Sequence, residues 1–196
     1  WGKKYPPYDL DNAVPEHIAS VRGLPCFTPD MILEGGSIEV NGQGTLITTE
    51  SCLLNPNRNP ALDRAAIEQR LSDYLGVRKV LWLGEGLAGD DTDGHVDDLT
   101  RFVDAQSVVT AVEPDPQDPN HTPLQVNLQR LQAVHTQDGD PLRVIELPMP
   151  EPVLHQGERL PASYANFYIG NRTVLMPAFG QSRDTDAPAI VQQCFP

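Results

Sequence analysis

Gly89-Asp90-Asp91-Thr92-Asp93-Gly94-His95-Val96-Asp97-Asp98 places five carboxylates and one imidazole within ten residues. Histidine exchanges a proton near neutral pH and a carboxylate binds a cation, so this segment offers acid–base chemistry beside cation recognition. A strand over 96–103 puts His95 and Asp97 two residues apart and therefore on one face. A solvated acidic loop capping a strand is the competing reading. A calcium hand fails on spacing: with Gly94 sixth, it starts at Gly89, which has no carboxylate, and ends at Thr100, which cannot supply the bidentate ligand.

Two further polar features stand out. Glu34 closes the apolar stretch Met31-Ile32-Leu33 and is followed by Gly35-Gly36-Ser37, where paired glycines allow close backbone approach. A plain turn with Glu34 in solvent is the alternative. Asn166 lies between Tyr164 and Phe167 in an extended segment, where a hydrogen bond to a neighbouring loop would also account for it.

The elements that must hold these residues recur in one order. Extended segments over 37–40 and 45–48 flank Asn41-Gly42-Gln43-Gly44, a helix follows between Pro60 and Gly76, and 79–83 reads as a buried strand. The second round has strands over 96–103 and 107–112, a helix capped by Thr122 with Pro123 at its first position, and a strand over 142–147. The third has strands over 164–169 and 173–179 and a helix over 187–194, with no closing strand. Residues 1–36 read as the end of a preceding unit, with a helix near 15–21 and a strand near 24–27. The units are therefore 37–95, 96–163 and an incomplete 164–196, and a start without Met suggests the inside of a longer chain. Such units form repeat arrays, while an ordinary α/β domain has the same alternation. In a closed radial array Glu34, His95 and Asn166, each near the start of its unit, would point at a common axis.

Composition narrows the function. With 14 Lys+Arg against 27 Asp+Glu the chain of 196 residues carries −13, which argues against nucleic-acid binding. No apolar run approaches the ~20 residues that span a bilayer. Cys26, Cys52 and Cys194 are odd in number and irregularly spaced, which fits neither a disulfide framework nor a zinc site, so a reducing, cytoplasmic setting is expected. The sequons at Asn120 and Asn171 have no secretory signal to support them.

Glu34-Gly35-Gly36-Ser37-Ile38, Thr48-Thr49-Glu50-Ser51-Cys52-Leu53-Leu54-Asn55-Pro56-Asn57-Arg58-Asn59-Pro60, Asp91-Thr92-Asp93-Gly94-His95-Val96-Asp97 and Ser163-Tyr164-Ala165-Asn166-Phe167-Tyr168 resemble the agmatine deiminase family, relatives of bacterial peptidylarginine deiminases. Trp1-Gly2 and Tyr5 through Asp11 resemble that family's preceding stretch. The resemblance runs nearly end to end. It implies an α/β fold of pentein type, a five-bladed propeller of strand-strand-helix-strand units, of which this chain holds an incomplete set of blades. It also implies hydrolysis of a guanidinium group, agmatine above all, by a Cys thiolate, with neither metal nor organic cofactor. On that resemblance His95 is the general acid and base, Asp97 binds the guanidinium, Glu34 orients His95 or contacts the guanidinium, and Asn166 lines the pocket.

The departures are equally specific. The family's nucleophilic Cys segment and its Trp-x-Arg-Asp segment have no match here, and Cys194, among Ile190, Val191 and Phe195, reads as a structural thiol. Alone, the chain is expected to be inactive and to self-associate through the faces that an opened array exposes. A non-catalytic acidic module that captures cationic guanidines or polyamines remains the alternative, as does a peptidylarginine deiminase. Such a module would need the carboxylates but not the imidazole.

Overall fold

The computed structural model describes residues 2–195; Trp1, which opens the resembling stretch, lies outside them. Helix α1 spans Asp9–Arg22, longer than the helix expected near 15–21, with Asp9 and Asp11 in its first turn, where carboxylates suit the positive end of a helix. Among the described residues no strand forms over 24–27. Leu24 and Phe27 are exposed there, with no neighbouring strand to pair with.

The first sheet has strands β1 (Glu39–Val40), β2 (Thr45–Thr49) and β3 (Lys79–Leu83). β1 and β2 are antiparallel; β2 and β3 are parallel, Thr45 opposite Lys79. Helices α2 (Glu50–Leu53) and α3 (Arg64–Leu75) make the crossover, and α3 starts on the Asp63 side chain and stops at Gly76 in the left-handed region. The second sheet repeats this plan: β4 (Thr100–Phe102) is antiparallel to β5 (Ser107–Val112), which is parallel to β6 (Arg143–Pro148) across helix α4 (His121–Ala133). A hairpin, β7 (Leu154–His155) with β8 (Glu158–Arg159), leads to the pair β9 (Tyr168–Ile169) and β10 (Val174–Leu175) and to helix α5 (Asp186–Gln192). The architecture is α/β.

Alternating side chains tie the sheets together. Along β2, Leu46 enters a cluster with Cys52, Leu53, Ile67 and Leu71, while Ile47 enters one with Leu81, Phe102, Val108 and Leu131. On β5 Val108 faces that second cluster and Val109 a third, with Leu147, Tyr164 and Phe167. Each central strand is thus buried on both faces, as parallel pairing between covered sheets requires. Arg101 on β4 spans three units: Nε donates to Glu39 Oε2 at 2.9 Å, Nη1 donates to Phe167 O at 2.6 Å, and its guanidinium lies 4.8 Å over the Phe167 ring.

Three expectations need correction. Residues 96–98 form a 3₁₀ turn, not strand, closed by Leu99 N donating to Val96 O at 2.9 Å; only Thr100–Phe102 finds partners on β5. Residues 164–167 are irregular, because the Tyr164 hydroxyl donates to Asp184 at 2.7 Å and its ring packs edge-on against Phe179. Helix α4 begins before Thr122. Asn120, the residue ahead of it, turns its side chain away to accept from Ala88 N at 2.7 Å, so it anchors a loop rather than capping the helix.

Candidate active site

Much of the acidic loop's charge is spent on folding the loop itself. Asp90 Oδ1 accepts from Thr92 N at 2.8 Å and from Thr92 Oγ1 at 2.6 Å, and Oδ2 accepts from Gly94 N at 2.9 Å. Thr49, at the end of β2, donates its hydroxyl to Gly94 O. Gly94 has φ +96°, and a β-carbon there would stand 2.3 Å from Ser51 Oγ and 3.0 Å from Gly86 N, so the approach to His95 requires glycine.

Glu34 reaches the same place from the other side. The 3₁₀ turn Gly35–Ser37 is held by Ser37 N and Oγ donating to Glu34 O, and Thr48 Oγ1 on β2 donates to Ser37 O at 2.8 Å. His95 Nε2 then lies 3.1 Å from Glu34 Oε2. Burial opposes ionisation of Glu34, but hydrogen bonds from His95 and Arg58 outweigh it and bring its pKa to about 2. An ionised carboxylate only accepts, so Nε2 carries a hydrogen towards Glu34, and in the neutral imidazole Nδ1 is the acceptor. That nitrogen and Asp97 both face Gly36: a β-carbon there would stand 2.5 Å from His95 Nδ1 and 2.7 Å from Asp97 Oδ2. The 3₁₀ turn thus achieves what a strand was expected to do, presenting His95 and Asp97 together.

Asp97 Oδ1 is buried and has no hydrogen-bond partner among the described residues. Burial raises its pKa against the pull of His95 and Arg101. Beside it Asp98, 9% exposed, accepts from Asn166 Nδ2 at 2.8 Å. Asn166 therefore joins the group through Asp98, on an otherwise exposed side chain. Burial pushes Asp98 up to about 7, with Asp97 and Asp90 adding to the rise and Asn166 opposing it.

These shifts predict opposite pH trends. Asp98 binds its proton more tightly folded than unfolded, so its contribution to stability is full below its ordinary 3.8 and is lost as pH rises towards 7. Glu34 contributes above its ordinary 4.5 and loses that contribution as pH falls towards 2. Asp98→Asn keeps the acceptor for Asn166 and should raise stability at pH 7.5 by at least about 1 kcal/mol while leaving it unchanged at pH 4. Urea denaturation at the two pH values measures this, and equal effects at both would refute it.

Arg58 was quoted in the sequence only as part of a longer motif, and its side chain proves central. It is fully buried and uses all five N–H groups: Nε to Glu34 Oε2 at 2.7 Å, Nη2 to Glu34 Oε1 at 3.4 Å and Thr92 O at 2.7 Å, Nη1 to Asp93 Oδ2 at 2.7 Å and Asn57 Oδ1 at 3.1 Å. Asp93 also accepts from Lys4 at 2.6 Å and from Asn57 at 2.9 Å, and these bonds with Arg58 bring its pKa to about 2 against burial. An arginine between asparagines and prolines gives no periodic signal; only the excess of nearby carboxylates hinted at a buried cation.

Cys52 Sγ lies 4.0 Å from Glu34 Oε2, and burial, opposed by Arg58, pushes its thiol up to about 12. Such a thiol is no nucleophile at neutral pH. Burial also raises the Cys194 thiol, which packs against the cluster around Val109, and Cys26 is exposed after α1. Glu34, Cys52 and His95 bring one ligand atom each within 4.8 Å. A metal there would have to displace Arg58 from Glu34 and take the proton from Cys52, so the donor set does not suit one.

A profile of the Porphyromonas-type peptidyl-arginine deiminases matches residues 1–196. An agmatine deiminase of Medicago truncatula is 40% identical over 98% of the chain and 57% of its own length. One of Pseudomonas syringae pv. tomato is 39% identical over 100% of the chain and 58% of its own. The solved agmatine deiminase of Enterococcus faecalis superposes with a TM-score of 0.91 at 38% identity, over 98% of this chain and 57% of that one. The chain thus spans somewhat more than half the length of these relatives. Among the described residues no helix is long and apolar enough to cross a membrane.

Proposed function

The chain belongs to the Porphyromonas-type peptidyl-arginine deiminase family, and from that premise we propose that it carries the acid–base and guanidinium-binding half of a deiminase that hydrolyses agmatine to N-carbamoylputrescine and ammonia. The observation that carries this reading is Asp97 Oδ1, a buried carboxylate oxygen without a partner, set beside His95 Nδ1 across Gly36. A planar cation laid over Gly36 meets an acceptor for paired N–H groups and a nitrogen able to exchange a proton.

The chemistry runs in two stages. His95 Nδ1 takes the proton of a thiol as its sulfur adds to the guanidinium carbon, and the C–N bond breaks as His95 gives that proton to the departing nitrogen, leaving ammonia and an amidino-thioether. His95 then takes a proton from water, the hydroxide adds to the same carbon, and the C–S bond breaks to release the ureido product and the thiolate. Glu34 stabilises the imidazolium. Its engagement with Arg58 favours that role over contact with the substrate. Asn166 holds Asp98 beside the pocket. Burial raises the thiols of Cys52 and Cys194, and Cys26 is exposed after α1, which supports reading the nucleophile as coming from outside these residues. The repeated sheets are read as blades of a pentein propeller, with units over 37–95, 96–163 and 164–196.

A binding module that only captures guanidines needs the carboxylates and has no use for the His95–Glu34 pair. The test is ammonia release from agmatine by the naturally encoded protein and by these 196 residues alone. The first should turn over and the second should not. No release by the first sinks the deiminase reading; release by the second, abolished by thiol alkylation, shows that one of its own cysteines serves.

A further inference from the structure

Arg58 donates five hydrogen bonds, the most of any cation among the described residues, and itself neither moves a proton nor meets the substrate in the mechanism above. We propose that Arg58 is a positioning residue that uses its own guanidinium to hold Glu34 and the 92–93 loop together, which fixes His95 with Nε2–H on Glu34 and Nδ1 free towards the substrate. The grip has the right form. One face of the fork takes both Glu34 oxygens, and the other takes Asp93 Oδ2 and Thr92 O, two and three residues ahead of His95. A bidentate, fully satisfied guanidinium sets orientation as well as charge, which a lysine cannot reproduce.

The arrangement also separates two carboxylates by function. Glu34, closer to His95, is occupied by an internal guanidinium, while Asp97 has a vacant oxygen. An incoming guanidinium is therefore directed to Asp97, and Glu34 stays with the imidazole. Arg58 also offsets part of the negative charge that Glu34 turns towards the imidazole. The other groups around His95 are Asp97 and Asp98 on its own segment, Cys52 after β2, Asp93 and Asp90 on the loop, and Arg101 beyond Asp97.

Arg58→Ala leaves a guanidinium-shaped space lined by Glu34, Asp93, Thr92 O and Asn57, so the guanidinium ion itself is the probe. In the 196-residue chain with ¹⁵N-labelled histidine, the titration of the His95 ring is followed by NMR, its signals assigned by loss in His95→Asn. The unsubstituted chain should show the Nε2–H tautomer. In Arg58→Ala the His95 pKa should rise by about one unit, because Glu34 loses the guanidinium that offsets part of its charge. Guanidinium chloride at about 20 mM should reverse at least half of that rise. Urea and sodium chloride at the same concentration should not. A His95 pKa that stays or falls, or equal rescue by urea, overturns the proposal.

If Arg58→Ala does not fold, Arg58→Lys is read with and without Glu34→Gln. Action through Glu34 requires that the lysine variant shift His95 alone and add nothing once Glu34 is neutral. Full additivity overturns it. The consequence for catalysis rests on the deiminase reading, but the titration needs no turnover and can fail or stand without it.

Discussion

Asp97→Asn is expected to weaken agmatine binding to this chain by about 10²–10⁴-fold. Asn keeps the shape of Asp and removes its charge, and breaking a buried ion pair costs roughly 3–5 kcal/mol. The carboxylate is prepared for a cation: Oδ1 is buried without a partner, and its pKa is raised because burial penalises the charge that a bound guanidinium would neutralise. Two consequences separate this from a structural role. Agmatine affinity should increase with pH as Asp97 ionises, and the Asn variant, in which only the neighbouring groups still titrate, should depend less on pH. The variant should also be no less stable than the parent without ligand, since a desolvated charge has been removed. Calorimetric titration with agmatine at pH 5 and pH 8, alongside urea denaturation, reads both; equal agmatine affinity in the two proteins assigns the guanidinium to another group.

The difference between what could be read in the sequence and what could not follows the physics of each element. The strands over 79–83 and 107–112 have the observed bounds, because both are short apolar runs, the second buried on two faces and the first buried at Leu81 and Leu83 with its other face partly covered. The segment 96–103 misled because Val96, Leu99 and Phe102 suit a strand, yet strand identity depends on a neighbour, and β5 pairs only with Thr100–Phe102. In the strand expected over 164–169 only Tyr168–Ile169 pairs, and 164–167 failed for a similar reason: Tyr164 is held by Asp184, which lies 20 positions away.

The site divides in the same way. His95 and Asp97 announced themselves by density of charge, and Glu34 by its glycines. Their convergence depends on Gly36, whose close approach the paired glycines foreshadowed, and on Thr48 holding the turn, which has no signal of its own. Arg58, alone among prolines and asparagines, was invisible as a participant, although its N–H groups hold Glu34, Asn57, Thr92 and Asp93 together.

His95→Ala is expected to depress turnover of the naturally encoded protein by about 10²–10⁴-fold, the range that positioned proton transfer contributes. Agmatine binding to the chain should change only a few fold, because the imidazole contacts Glu34 through Nε2 and offers the ligand a single nitrogen, whereas the charge that holds the guanidinium is on Asp97. Both stages need that nitrogen, first to protonate the departing ammonia and then to deprotonate water, so the loss should appear in kcat and in kcat/KM together. Small amines supplied in solution should restore part of the turnover in the Ala variant and none in Asp97→Asn, where a charge rather than a proton carrier is missing. Full turnover in the Ala variant would make His95 a packing residue and return the acidic loop to the capping role; loss of binding with unchanged kcat would make it a wall of the pocket. Only a fall in kcat with binding preserved places the imidazole in the transition state, with Glu34 as the group that stabilises its charge there.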